Sequence, residues 1–303
     1  MNFQSVVNLQ IILFLLIVCG VILSKFHIIT TDGRKSMTDL LIYFILPCNI
    51  FMSYLGDISK EILLSSGKVL GIAVGIQLFS YLLSKLLYRN IATEKRMVMR
   101  YGTICSNAGF IGLPVVEQIY GVDGLFLASV ALIPLRIFMW SSGLACFTNT
   151  VNVKSTVMKL IKHPCIIAVE VGFMAIFFNI TLPFPIISTI RYCSACTTAL
   201  SMLIIGSILS EVDITTVLSK EVIYLSAIRL LAIPIISLFV LQCFFQKQDI
   251  SVQVPVLLAA MPAGSTTAIL AAKYNGDALF AAKCVFVTSL FSLISLPLVF
   301  LIF

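Results

Sequence analysis

The chain has 303 residues, of which 60% are hydrophobic and only 11% charged, with a formal net charge of +7 and a mean hydropathy of +1.09. Soluble globular domains are roughly half apolar and a quarter charged, so this chain lacks the polar residues to coat a water-facing surface and belongs in lipid. Its basic excess reads as membrane topology and attraction to anionic lipids, not as nucleic-acid binding.

Apolar runs long enough to cross about 30 Å of hydrocarbon as helix recur from end to end. They predict ten spans, over 6–24, 37–55, 65–88, 100–119, 124–148, 161–181, 189–210, 222–245, 252–273 and 279–303. The expected fold is therefore an all-α integral membrane protein with no separate soluble domain. Span one has no positive charge before it and no small-residue cleavage pattern after it, so it is expected to be a retained helix, not a secretory signal. Spans four and nine are interrupted by Gly and Pro. Span five carries Arg136, span six Glu170 and span eight Arg229, and ionisable groups at membrane depth are functional candidates by default. Arg136 is expected to meet a substrate carboxylate or Glu117, or to brace a helix; Arg229 and Glu170 read as structural partners or cavity lining.

Loops after the odd-numbered spans hold most of the Lys and Arg, including Arg34, Lys35, Arg89, Lys95, Arg96 and Lys154; the other side holds Lys60, Lys68, Arg191 and Lys247. The positive-inside rule puts the odd loops in the cytoplasm and both termini outside the plasma membrane. The cysteines are scattered singly through apolar segments except for Cys193 and Cys196, and the histidines are His27 and His163. Neither a disulfide framework nor a zinc or redox site is expected.

Tyr120, Asp123, Leu125, Phe126 and Ala128 recur, in the same order and spacing, as Tyr274, Asp277, Leu279, Phe280 and Ala282, directly after spans four and nine. Such a repeat points to duplication, with halves 1–150 and 151–303. Five spans per half is an odd number, so the second half must enter the membrane in the opposite sense. Inverted repeats with interrupted helices mark many secondary transporters, whose sites lie near the midplane where the breaks meet. The repeated Asp123 and Asp277 are expected to cap the helices that follow them.

Span four contains Ser106-Asn107-Ala108-Gly109-Phe110-Ile111-Gly112-Leu113-Pro114. Pro114 has no N–H, so the Phe110 carbonyl loses its helical partner, while Gly109 and Gly112 let the backbone leave helical angles. Span nine has a matching interruption, Ala260-Met261-Pro262-Ala263-Gly264-Ser265-Thr266-Thr267. One such break is an ordinary packed kink. Two in corresponding spans can cross and aim half-helix N-termini, each worth roughly half a positive charge, at one carboxylate. The candidate binding residues are Asn107, Gly109, Gly112, Pro114, Met261, Pro262, Gly264, Ser265 and Thr266, with Arg136, Asn49 and Asn275 as charge or substrate partners. No metal or cofactor is expected.

The run Asn107 to Pro114 resembles the fourth-helix motif of the auxin efflux carrier family, to which the plant PIN-FORMED proteins belong. Leu46-Pro47, Met261-Pro262-Ala263-Gly264, Ala272-Lys273-Tyr274-Asn275 and Leu296-Pro297 extend the likeness over most of the chain. The resemblance implies two inverted five-helix repeats with crossing broken helices 4 and 9, similar in plan to bile-acid sodium symporters and some sodium/proton antiporters. It also implies alternating access, in which a bundle holding spans four and nine moves against a scaffold of spans one, two, six and seven. The substrate it implies is a small organic anion such as malate, malonate or an auxin-like acid. By position, Asn107 would offer its amide to a substrate carboxylate or to unwound backbone, and Pro114 and Pro262 would each end a half-helix. Met261 stands at the repeat position of Asn107, so the two breaks differ chemically. Only residues 149–160 separate the halves, which leaves out the long central loop of many plant members. The coupling ion, proton or sodium, stays open, and membrane lipids and a homodimer are compatible partners. The competing readings are a non-transporting membrane sensor or scaffold and a sodium-coupled symporter of the bile-acid type. A membrane-embedded enzyme would need paired catalytic groups, which the spans do not offer.

Overall fold

The computed structural model describes residues 3–55, 60–147, 158, 161–178, 180–210, 217–246, 248–264, 266–274 and 276–302. Among them every regular element is helical. In chain order they are α1 (Phe3–Lys25), α2 (Thr31–Leu40), α3 (Leu46–Met52), α4 (Lys60–Leu87), α5 (Thr93–Ile104), α6 (Leu113–Phe138), α7 (Pro164–Phe177), α8 (Phe184–Ala195), α9 (Thr197–Leu209), α10 (Lys220–Ala227), α11 (Ile233–Gln242), α12 (Ile250–Ala259), α13 (Thr266–Lys273) and α14 (Ala278–Ile302).

Five helical runs are long and apolar enough to cross a membrane, namely Lys60–Leu87, Ala108–Cys146, Phe184–Ile208, Lys220–Gln242 and Ala278–Ile302, and shorter apolar helices accompany them. Leu64, Phe177 and Phe184 are each 80% exposed, an arrangement that water would penalise and lipid favours. The protein is a multi-pass integral membrane protein.

The run Ala108–Cys146 has 39 residues, which as one straight rod would be about 58 Å long. It does not stay straight. Gly121 adopts φ 66, ψ −154, a backbone conformation open to glycine and costly for other residues, and Gly109 and Phe110 line the same cavity as Arg136 and Met139. The chain therefore doubles back at Gly121. Asp277 caps α14 by accepting from Phe280 N at 2.8 Å.

Proline shapes these helices in a repeated way. The segments Leu41–Ile45, Ala108–Gly112 and Ile228–Ala232 are single π-turns, and each is followed at once by a Leu-Pro or Ile-Pro pair: Leu46-Pro47, Leu113-Pro114 and Ile233-Pro234. A proline ring would clash with the carbonyl four residues back. Widening the turn before it to i→i+5 bonds, such as Leu113 N to Ala108 O, relieves that clash without ending the helix.

The most extensive helix contacts fall into two groups. Helices α1, α2, α3, α7, α8 and α9 pack together; α4, α5, α6 and α10 to α14 form the other group. Each group draws on both halves of the sequence. In the first, α1 crosses α9 at Gly20 and Gly206, where a Cβ on Gly206 would stand 2.1 Å from the Ile17 carbonyl oxygen. Small residues let membrane helices approach backbone to backbone. Gly206→Leu is expected to cost about 2–3 kcal/mol through overpacking, read as a lowered melting midpoint of the purified protein in detergent.

Candidate functional site

The two interruptions meet. After α5 ends at Ile104, Cys105 is extended (φ −108, ψ 108), and Ser106 forms an antiparallel bridge with Ala263. Asn107 N donates to Pro262 O at 2.7 Å and Gly264 N donates to Cys105 O at 2.9 Å. The unwound segments thus satisfy each other's backbone groups, as non-helical chain at membrane depth must.

Four half-helix ends converge here, and their charges are sorted. Arg229, 1% exposed, donates from Nε to Met261 O at 3.0 Å, from Nη1 to Thr103 O at 2.9 Å and from Nη2 to Ala259 O at 2.8 Å. These are carbonyls at the C-terminal ends of α5 and α12, which helix geometry leaves without intrahelical donors. Each such end carries roughly half a negative elementary charge, so two ends together match one guanidinium. Arg229 is therefore structural, with its charge compensated by backbone instead of by an acid.

On the other side the N-terminal ends starting at Ala108 and Thr266 border a cavity of about 120 Å³. Its polar lining is Ser106, Asn107, Arg136, His163 and Thr266; Ile42, Leu46, Phe110, Leu132, Leu135 and Met139 supply apolar walls. Asn107 caps no N–H of the helix after it, which leaves its amide to the cavity. Thr266 Oγ1 accepts from Tyr101 OH at 2.9 Å, and His163 Nδ1 accepts from Cys165 N at 3.3 Å, so a neutral His163 carries its proton on Nε2. Arg136 is 7% exposed, yet its Nη1 has no hydrogen-bond partner. Among the described residues the ion pairs are Lys68–Asp249 and Lys95–Glu221, and neither involves Arg136. A buried guanidinium without an anion is costly, and one beside two helix N-termini in a cavity suits a carboxylate.

The structure brings Asn107, Gly109, Gly264, Thr266 and Arg136 to this cavity. Pro262 and Met261 contribute backbone carbonyls, to Asn107 and to Arg229. Gly112 serves packing: a Cβ there would stand 3.2 Å from Met261 Cγ. Ser265 and Asn275 lie outside the described residues. Two expectations need correction. Pro114 ends no half-helix, because the π-turn at Ala108–Gly112 carries the helix through it and the break falls at residues 105–107. Asn49 does not reach the cavity; its Nδ2 donates to Glu117 Oε2 at 3.1 Å and to Ser194 Oγ at 3.0 Å. That contact also takes Glu117, which does not pair with Arg136. Sequence reasoning missed His163 and Ser106 as lining residues. His163 precedes Pro164 at the start of a helix, a position that reads as a cap and hides its second nitrogen.

The sequence model of a family described as membrane transport protein matches residues 5–300. An uncharacterized transporter of Methanocaldococcus jannaschii is 23% identical over 300 residues, 96% of each chain. An uncharacterized transporter of Methanothermobacter thermautotrophicus is 26% identical over 311 residues, covering 98% of each. With the family match spanning nearly the whole chain and two interrupted helices joined at their breaks, the protein belongs to the membrane transport protein family of the auxin efflux carriers.

Proposed function

We propose that this protein is a secondary carrier that moves a small organic anion across the plasma membrane by alternating access, with the crossover cavity as its site. The observation that carries the reading is Arg136, a buried cation that lines the cavity and whose Nη1 has no hydrogen-bond partner. Asn107 amide hydrogens and two half-helix N-termini add donors and positive potential on the same side. The cavity, about 120 Å³, is bordered by these donors, and a small carboxylate such as malonate or malate matches their chemistry. The two helix groups supply the moving parts. The group holding both breaks shifts against the group of α1, α2, α3, α7, α8 and α9, within ten spans arranged as two inverted repeats with both termini outside.

The test is flux of labelled malonate, malate and indole-3-acetate into proteoliposomes, with membrane potential and proton gradient set independently. Saturable uptake of the small acids is expected. Asn107→Ala should raise KM about tenfold, since a hydrogen bond to a charged group contributes roughly 1.5–3 kcal/mol. Ligand binding without flux in folded protein would establish a sensor instead.

A further inference from the structure

Glu117 lies on α6 between the crossover and the bend at Gly121. It is half-buried and enters neither described ion pair. A carboxylate removed from water without a counter-ion is costly. Its partner is the Asn49 amide on α3, which also reaches Ser194 on α8. Those two residues sit in one helix group and Glu117 in the other, so the hydrogen bond spans the boundary along which alternating access would slide.

Resting on the carrier reading above, we propose that Glu117 is the proton-binding site that couples anion movement to the proton gradient. Its carboxylate takes one proton from water on one side of the membrane and returns it to water on the other when the two helix groups part. The chemistry of Asn49 fits two protonation states. Asn49 is 1% exposed and its Oδ1 has no donor, while both Nδ2 hydrogens serve Glu117 and Ser194. That orientation suits a carboxylate, which only accepts. A protonated Glu117 becomes a donor, and rotating the amide by a half-turn gives it Oδ1 as acceptor, with Ser194 OH donating to the same oxygen. One state leaves Oδ1 unpaired and the other leaves Nδ2 unpaired, so neither is strongly preferred by the amide.

Neither described ion pair reaches this balance; burial and the Asn49 amide act on the carboxyl group. On α3 and α8 the titratable groups are Cys48, Arg191, Tyr192 and Cys193, of which Arg191 and Tyr192 are exposed. On its own helix Tyr120 is engaged with Gln253 of α12 at 3.0 Å. The four side-chain oxygens of Glu117, Asn49 and Ser194 fall short of the roughly six or more a hard metal cation gathers, which favours a proton over sodium.

The experiment has two arms on the full-length protein in liposomes. In the first, accumulation of labelled malonate is measured against imposed proton and sodium gradients. One coupled proton predicts an accumulation ratio that shifts about tenfold per pH unit. Glu117→Gln should keep malonate exchange but lose that shift, and Glu117→Asp should restore part of it. Retention of the full shift in Glu117→Gln overturns the proposal, as does a shift that follows sodium. In the second arm, which needs no transported substrate, infrared difference spectra are recorded across a pH titration. A protonated carboxyl band that disappears in Glu117→Gln, with a change in the side-chain amide region, supports the assignment. Absence of such a band in the unsubstituted protein overturns it, whereas absence of malonate flux with the band present refutes the carrier reading alone.

Discussion

Arg136→Gln is expected to reduce kcat/KM for anion uptake by about a hundredfold or more, while the melting midpoint of the purified protein stays level or rises. The two results belong together. The guanidinium is 7% exposed, so a carboxylate arriving beside it forms a charge-assisted pair away from bulk water. Removing one partner of such a pair costs roughly 2–5 kcal/mol, and about 2.7 kcal/mol is already a factor of a hundred. Within the fold the same charge is a burden, because Nη1 lacks a hydrogen-bond partner, and replacing it by a neutral amide removes that burden. Uptake assays and melting curves on one preparation check both halves. If uptake and stability fall in step, Arg136 braces the fold and the carboxylate binds elsewhere.

Arg229→Leu should behave in the opposite way. Its three hydrogen bonds, 2.8 to 3.0 Å long, tie Thr103, Ala259 and Met261 across the two breaks. Without them three buried carbonyls lose their donors at about 1–3 kcal/mol each, and two helix C-termini lose the charge between them. A loss of about 3–5 kcal/mol follows, seen as a melting midpoint lower by roughly 10 °C or as aggregation on size exclusion. Arg229→Lys should rescue little of it, because an ammonium is a point charge and cannot span three carbonyls as a planar fork does.

These two arginines show where sequence reading succeeds and where it stops. Both were legible as costly ions in apolar runs, and Arg229 as a structural group. That they face opposite sides of one crossover was not, since their placement depends on which face of each helix packs inward. The breaks themselves were legible from clustered Gly and Pro. Their positions were less so: Pro114 looked like an end because proline disrupts an α-turn, but a π-turn accommodates it, and the interruption moved to Cys105–Asn107. Asn49 is a polar residue in an apolar span, and only the tertiary fold reveals that Glu117 and Ser194 claim its amide. His163 carried no periodic or motif signal at all, and reaches the cavity through the chain's return to it at the start of α7.

The π-turn at Ala108–Gly112 also sets an angular register. Each residue of an α-helix advances the side-chain direction by about 100°, and a π-turn holds one residue more than an α-turn. Every side chain from Leu113 to Tyr120 therefore points about 100° away from where a regular helix begun at Ala108 would send it. Deleting a single residue from 108–112 would turn the π-turn into an α-turn and leave Glu117 and Tyr120 facing Asn49 and Gln253, whereas closing the same five residues into a regular α-turn would swing both away. The width of that short turn, and not only its glycines, selects which face of the helix the rest of the molecule reads.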